Sequence, residues 1–168
     1  MDSHIFVVKT ETGEILSHYF ESHKTNNWMS DAVVLTEIKI DTAPYIFNSS
    51  TRAFGVRVFF LGSSNINQYS QELISLFVEK DDALTPVLHQ YPIENYGGEW
   101  DGECVGEFTS ERKIIMISDQ KSNGFNNIVI KNKITDNINF LEGDECKNKA
   151  KISYQKDTLK YDGSVYKK

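Results

Sequence analysis

Apolar and polar residues alternate in short runs along this chain, and no stretch sustains the 3.6-residue period of an amphipathic helix. The clearest run is Ala53 to Leu61, where Phe54, Val56, Val58 and Phe60 share one parity and Arg57 the other, before Gly62-Ser63-Ser64-Asn65 ends it. That spacing predicts a strand with one buried face. His4 to Val8 and Ile15 to Phe20, around a turn carrying Gly13, predict an N-terminal hairpin over residues 4–20, peripheral to the rest of the chain. Val33 to Ile40 reads as a strand ending at Asp41, because Pro44 cannot donate to the ladder of a central strand.

Leu73 to Glu79 is too short an apolar run for a typical helix and is read as a strand, against a competing helix over Gln68 to Val78. Asp81-Asp82-Ala83 then turns the chain into Leu84 to Leu88. Lys113 to Ser118 and Asn127 to Asn132, joined by a turn at Gly124, and Lys151 to Gln155 add further strands. Thr158 to Tyr161 and Ser164 to Tyr166 flank Asp162-Gly163, the dipeptide of a two-residue type I′ hairpin. The fold class is all-β: a mainly antiparallel sandwich or barrel of about nine to ten short strands with little helix. The 168 residues fit one domain, 1–168.

Composition changes this picture little. AVILMFWYC residues make up 39%, a low share, but 12% aromatic content argues for a folded chain rather than a disordered one. No run approaches the roughly 18 apolar residues of a spanning helix, so no membrane span is expected. Met1 to Thr10 lacks the basic start and apolar centre of a secretory signal, so an exported protein would require one removed ahead of this sequence.

Charge changes it more. Between Glu94 and Glu111 lie Glu94, Glu99, Asp101, Glu103, Glu107 and Glu111 with no Lys, Arg or His, and the net charge of the whole chain is −6. The segment therefore carries the entire imbalance. With Gly97, Gly98, Gly102 and Gly106 inside it, it reads as an exposed acidic loop that attracts a basic partner, with Trp100 and Tyr96 as aromatic anchors. The plain alternative is a solvated loop that keeps the protein soluble. The acidity disfavours nucleic acid, and Lys147, Lys149 and Lys151, interrupted by Glu142, Asp144 and Glu145, read as a solvated loop as well.

Candidate chemistry is sparse. Cys104 and Cys146 both lie in polar, acidic, glycine-containing sequence, which favours a disulfide and an oxidising compartment over two free thiols in a cytosolic protein. Such a bond closes a loop of about 40 residues. Asp119 to Ile130 resembles the calcium loop of FG-GAP repeats, but Lys121 occupies a ligand position, and a plain hairpin with Gly124 at positive φ is the better reading. Glu99, Asp101 and Glu103 resemble the opening of an EF-hand, yet the sixth position lacks Gly and Ser110 replaces the bidentate Glu. His4, His18, His23 and His89 have no zinc spacing, so no metal and no cofactor is expected. A hydrolase using Asp101 and Glu103 is a weak reading, because nothing places either acid in an apolar pocket.

Asp41-Thr42-Ala43-Pro44-Tyr45, Arg52 to Val58, Gly98-Glu99-Trp100-Asp101-Gly102-Glu103-Cys104 with Gly106-Glu107-Phe108, Ser122 to Phe125, and Tyr161-Asp162-Gly163 together resemble a poorly characterised family of small proteobacterial envelope proteins. The resemblance covers roughly residues 35–166 and implies export to the periplasm and a disulfide between the positions of Cys104 and Cys146. Some proteins of this kind are similar to immunity proteins that protect a bacterium against toxins injected by its neighbours. It implies no catalytic residues. The expectation is a non-enzymatic immunity or inhibitor protein of an interbacterial, type VI-like system, which neutralises a cationic toxin or hydrolase through Tyr96, Glu99, Trp100, Asp101, Glu103 and Glu107. The alternative is a β-sandwich module that recognises cell-envelope carbohydrate through Trp100, Tyr96 and Tyr91.

Overall fold

The structure, a computed structural model, describes residues 1–28, 32–80 and 83–168. Ten strands and no helix are found among them: β1 (Ser3–Val8), β2 (Ile15–Glu21), β3 (Val33–Ile46), β4 (Arg52–Gly62), β5 (Asn67–Lys80), β6 (Ala83–Trp100), β7 (Gly106–Ser122), β8 (Phe125–Glu142), β9 (Glu145–Tyr161) and β10 (Tyr166–Lys167). All pairing is antiparallel. β1 and β2 form a two-stranded sheet, and the other eight follow one another in a meander, β3 to β10, that does not close into a barrel.

The all-β reading holds, but the strands are long rather than short, reaching 18 residues in β6 and β8. Several expected breaks are therefore absent. β5 runs from Asn67 to Lys80 as a strand, not a helix. Lys151 to Gln155 and Thr158 to Tyr161 belong to one strand, β9, which also takes up Lys147 and Lys149, so these lysines stand on a strand rather than a loop. The proposed turn at residues 81 and 82 lies outside the described residues.

β3 does not stop at Asp41. It continues past Pro44 to Ile46, with a register irregularity between Asp41 and Tyr45. Proline is tolerated because β3 is an edge strand and the irregularity removes the need for its missing N–H. Asp41 holds this kink. Its carboxylate accepts hydrogen bonds from the Ala43 N–H (2.9 Å), the Tyr45 hydroxyl (2.8 Å) and the Arg57 guanidinium (2.7 Å), and Arg57 also reaches Glu72 on β5 (3.2 Å).

β6 pairs with β5 over most of its length but with β7 only from Glu94–Arg112 to Trp100–Gly106. Below that point β6 and β7 part, and two layers enclose the main core. Ile74, Leu76 and Val78 of β5 and Val87 and Ile93 of β6 meet Ile128 and Ile130 of β8 and Leu159 of β9. The far end is fastened where the Asn126 N–H donates to the Phe47 carbonyl (2.7 Å) and the Tyr166 hydroxyl to the Asn126 carbonyl (2.6 Å). Phe47, Phe125, Tyr161 and Tyr166 stack around this fastening, with ring centroids 4.3–5.4 Å apart.

The N-terminal hairpin forms as expected and lies against the outside of the β4–β6 layer, where Ile5, Val7 and Tyr19 pack on Val56, Phe77 and Leu84. Asn26, fully buried, ties the following segment down: its amide donates to the Met1 carbonyl (2.9 Å), and the Gln90 amide donates to the Asn26 carbonyl (2.7 Å).

Two turns obey local chemistry in different ways. Asn123 and Gly124 both take positive φ (47° and 86°) between the paired residues Ser122 and Phe125, which is the two-residue hairpin geometry. Asp162-Gly163, expected to form the same turn, instead begins a four-residue connection between Tyr161 and Tyr166. The Asp162 carboxylate accepts the N–H groups of Ser164 and Val165 (both 2.8 Å), and this captures the backbone in a wider loop.

Removing the Asp41 carboxylate should be costly, because a buried Tyr45 hydroxyl and a partly buried Arg57 lose their acceptor. Asp41→Ala is expected to lower the unfolding free energy by about 2–3 kcal/mol in urea denaturation. Burial alone would raise the Asp41 pKa, but the Ala43, Tyr45 and Arg57 hydrogen bonds outweigh it and hold the carboxyl below its ordinary value. A carboxyl with a depressed folded pKa stabilises above its unfolded pKa and loses that contribution as pH falls. The stability gap between the native chain and Asp41→Ala should therefore be full above about pH 4 and narrow below it.

Candidate functional site

The Glu94–Glu111 segment is not a loop. It is the end of β6, a five-residue tip from Asp101 to Val105, and the start of β7, near the middle of the large sheet. The tip is built by Asp101, whose carboxylate accepts the N–H groups of Glu103 (2.8 Å) and Cys104 (2.9 Å), while its own N–H donates to the Val105 carbonyl (2.9 Å). Gly102 takes φ +91°, a conformation that L side chains rarely adopt. Cys104 is bonded to Cys146, which anchors the tip to β9.

Space supplies the counter-charges that the sequence run lacks for two of its six acids. Arg112 lies opposite Glu94 and pairs with it at 2.8 Å, and Lys113 sits 3.4 Å from Glu111, which also accepts the Asn132 amide at 3.1 Å. Glu99, Asp101, Glu103 and Glu107 have no ion pair among the described residues. Asp101 is occupied with the tip backbone, and these bonds, the one from the Glu103 amide foremost, lower its pKa. It is thus the opposite of an acid kept protonated for general-acid work.

Directly paired residues share a face of a sheet, so the registers sort this segment into two surfaces. On one face Asn67, Glu99, Glu107 and Ile138 stand in a row, and next to it Gly97, Thr109 and Asp136 stand in another. Asp136 accepts the Thr109 hydroxyl at 2.9 Å. These residues, with Ile66, Asp101 and Val105, line an open cleft of about 750 Å³. Four carboxylates, Glu99, Asp101, Glu107 and Asp136, surround it, and three apolar side chains, Ile66, Val105 and Ile138, are exposed at its edge. Lys149 and Lys151 on β9 mark its border, opposite Ile138 and Asp136.

The other face carries the rings. Tyr96, Trp100 and Phe108 share it with Gln68, Asn137, Asn139 and Asn148 around a cleft of about 490 Å³ that also reaches Glu103 and the disulfide. Phe108 lies flat across Gly98 and Gly106. A Cβ on Gly98 would collide with the Phe108 ring and the Glu107 carbonyl, and one on Gly106 would come within 2.8 Å of the ring. The Tyr96 and Phe108 rings are nearly parallel (7°) with centroids 6.0 Å apart, and the Tyr96 hydroxyl donates to Gln68 at 3.0 Å.

By register Tyr96 and Trp100 project to the side opposite Glu99 and Glu107, which divides the expected patch between two faces; Trp100 and Phe108 also border the acidic cleft, whereas Tyr96 borders only the other one. Glu103 is placed with the rings and Asp101 holds the tip. Tyr91 does not join Tyr96 and Trp100, because it packs against the core with the Lys113 ammonium 5.5 Å from its ring centre. Sequence reading missed Gln68, Asp136, Asn137, Ile138, Asn139 and Asn148. Their signal was present in the period-two placement of Asn137 and Asn139, but the segment after Asn132 was not read as strand.

Comparison of the chain with family models, curated proteins and solved structures finds no match.

The glycine seats give a sharp test of this hairpin. Gly98→Ala should displace the Phe108 ring and cost on the order of 1–3 kcal/mol in chemical denaturation. Gly97→Ala, whose nearest neighbour would be a carbonyl 3.8 Å away, should change stability by less than about 0.5 kcal/mol.

Proposed function

We propose that this chain is a non-enzymatic binding protein that captures a cationic protein on the acidic face of its β6–β7 hairpin. It would act as an immunity or inhibitor protein against a basic toxin or hydrolase of an interbacterial, type VI-like system in the periplasm. The observation that carries this is the cleft around Glu99, Glu107 and Asp136: carboxylates without an ion pair among the described residues, held on a rigid sheet and bordered by exposed Ile66, Val105 and Ile138. Opposite charges steer a basic surface in, and the apolar rim adds contact area once water is expelled. The disulfide at the tip agrees with an oxidising compartment.

The test uses the purified product of the adjacent gene, since immunity proteins are encoded beside their toxins. Binding measured by calorimetry should weaken markedly between about 50 and 500 mM salt. The double variant Glu99→Lys/Glu107→Lys should abolish it, and Tyr96→Ala on the opposite face should leave it unchanged. Binding that ignores both salt and charge reversal would end the proposal.

A second reading has its own observation. Nearly parallel Tyr96 and Phe108 rings beside the amides of Gln68, Asn137 and Asn139 form the neutral, flat, hydrogen-bonding surface that suits the face of a sugar ring. Envelope glycans should then change tryptophan fluorescence in the native protein and fail to do so in Phe108→Ala.

A further inference from the structure

The outer side of the lower β7–β9 layer carries an array that runs against the charge of the whole chain. The registers set three-residue rows across these strands: Met116, Val129 and Thr158, then Ile114, Lys131 and Lys156, then Arg112, Lys133 and Tyr154, then Ser110, Thr135 and Ile152. Those twelve positions contain four cations and no carboxylate, although acids outnumber bases 24 to 18 in the chain. Lys131 stands directly opposite Lys156. Like charges opposed on neighbouring strands destabilise a sheet, so an external anion that met both would be favourable here. Arg112 is paired with Glu94, but Lys131, Lys133 and Lys156 have no ion pair among the described residues.

Large apolar side chains stand among these cations instead of being buried. Tyr154 is 75% exposed, Ile114 60%, Ile152 51% and Met116 42%. Arg112, Ile114, Lys131, Lys133, Tyr154 and Lys156 surround a shallow depression of about 420 Å³. One exposed ring is too little for a stacking platform that follows successive bases, and nucleic-acid surfaces rely on several. Lysines interleaved with projecting aliphatic groups and a tyrosine instead match the boundary between lipid headgroups and acyl chains, where cations meet phosphates and an amphipathic ring is favoured.

We propose that this face docks the protein on an anionic phospholipid bilayer. Lys131, Lys133 and Lys156 would contact headgroup phosphates, while Ile114, Tyr154 and Ile152 enter the interface. Glu107 and Asp136 lie on the opposite side of β7 and β8, so docking leaves the acidic cleft facing away from the membrane.

The experiment is co-sedimentation of the full chain with vesicles of phosphatidylcholine alone and with about 30% phosphatidylglycerol. The chain should sediment only with the phosphatidylglycerol vesicles and be released by salt. Lys131→Glu/Lys156→Glu should lower partitioning by at least about ten-fold. Ile114→Ser/Tyr154→Ser should lower it several-fold with the salt dependence retained, and Lys149→Glu on the opposite face should leave it unchanged. All these positions are exposed, and unfolding midpoints near that of the native chain will show that the variants fold. Sedimentation that ignores lipid charge or the Lys131/Lys156 reversal would overturn the proposal. So would capture of a single-stranded oligonucleotide or polyglutamate without capture of anionic vesicles.

Discussion

The parting of β6 from β7 below the Glu94–Arg112 pair is the constraint on which the rest of this structure depends. Above it, eighteen-residue strands remain in one sheet, held by the hydrogen-bond ladder, the Cys104–Cys146 bond and the seating of Phe108 on Gly98 and Gly106, with no second layer over them. Below it, the two halves of the meander separate far enough to bury Ile74, Leu76, Ile93, Ile128 and Ile130 between them. A flat eight-stranded sheet could not bury these residues, because each layer needs a second one to cover its apolar face. The irregular register of β6 against β5, with Gln90 at φ 47° and its N–H donated to the Ser75 hydroxyl, lets one strand serve both regimes. The main core therefore lies in the lower half, and the upper half leaves its polar side chains in solvent.

The same division explains what was legible in the sequence. Alternation of Phe54, Val56, Val58 and Phe60 identified β4 because that strand lies in the covered half, where one parity is buried. β9 between Glu145 and Ala150 was invisible to that logic: every residue there is exposed, so no hydrophobic period marks it, and Lys151 to Gln155 further along was legible as strand. The acidic run misled for a related reason. Six like charges within eighteen residues argue for a loop only if they must lie together, and a strand sends alternate side chains to opposite faces. Glu94 and Glu111 then found Arg112 and Lys113, which stand immediately after the run in sequence and beside it in space.

The motifs that carried the family resemblance occupy positions where the backbone is constrained rather than positions of chemistry. Asp41 to Tyr45 forms the kink of an edge strand, Gly98 and Gly106 make the seat of Phe108, Asn123-Gly124 turns a hairpin, and Asp162 captures the amides of the last connection. A pattern of this kind specifies a meander of set strand lengths and register. Residues such as Asp136 and Asn137, on the upper sheet and outside those motifs, carry no such backbone constraint.

A single layer open on both sides has a consequence for how two opposed charges can coexist in 168 residues. In a two-layer protein the inner faces are apolar and each strand offers only one parity to solvent. On β7, by contrast, Glu107 projects to one side and Arg112 to the other within five positions, and on β8 Lys133 and Asp136 do the same within three. The sheet backbone keeps these groups on opposite faces, so the unpaired acids of the upper hairpin and the unpaired lysines of β8 and β9 are held apart, while the chain as a whole differs from neutrality by only six charges. The Cys104–Cys146 bond reinforces that separation at the tip. It fixes β6, β7 and β9 together where no second layer supports them, and without it the acidic and aromatic faces would lose their rigid common frame.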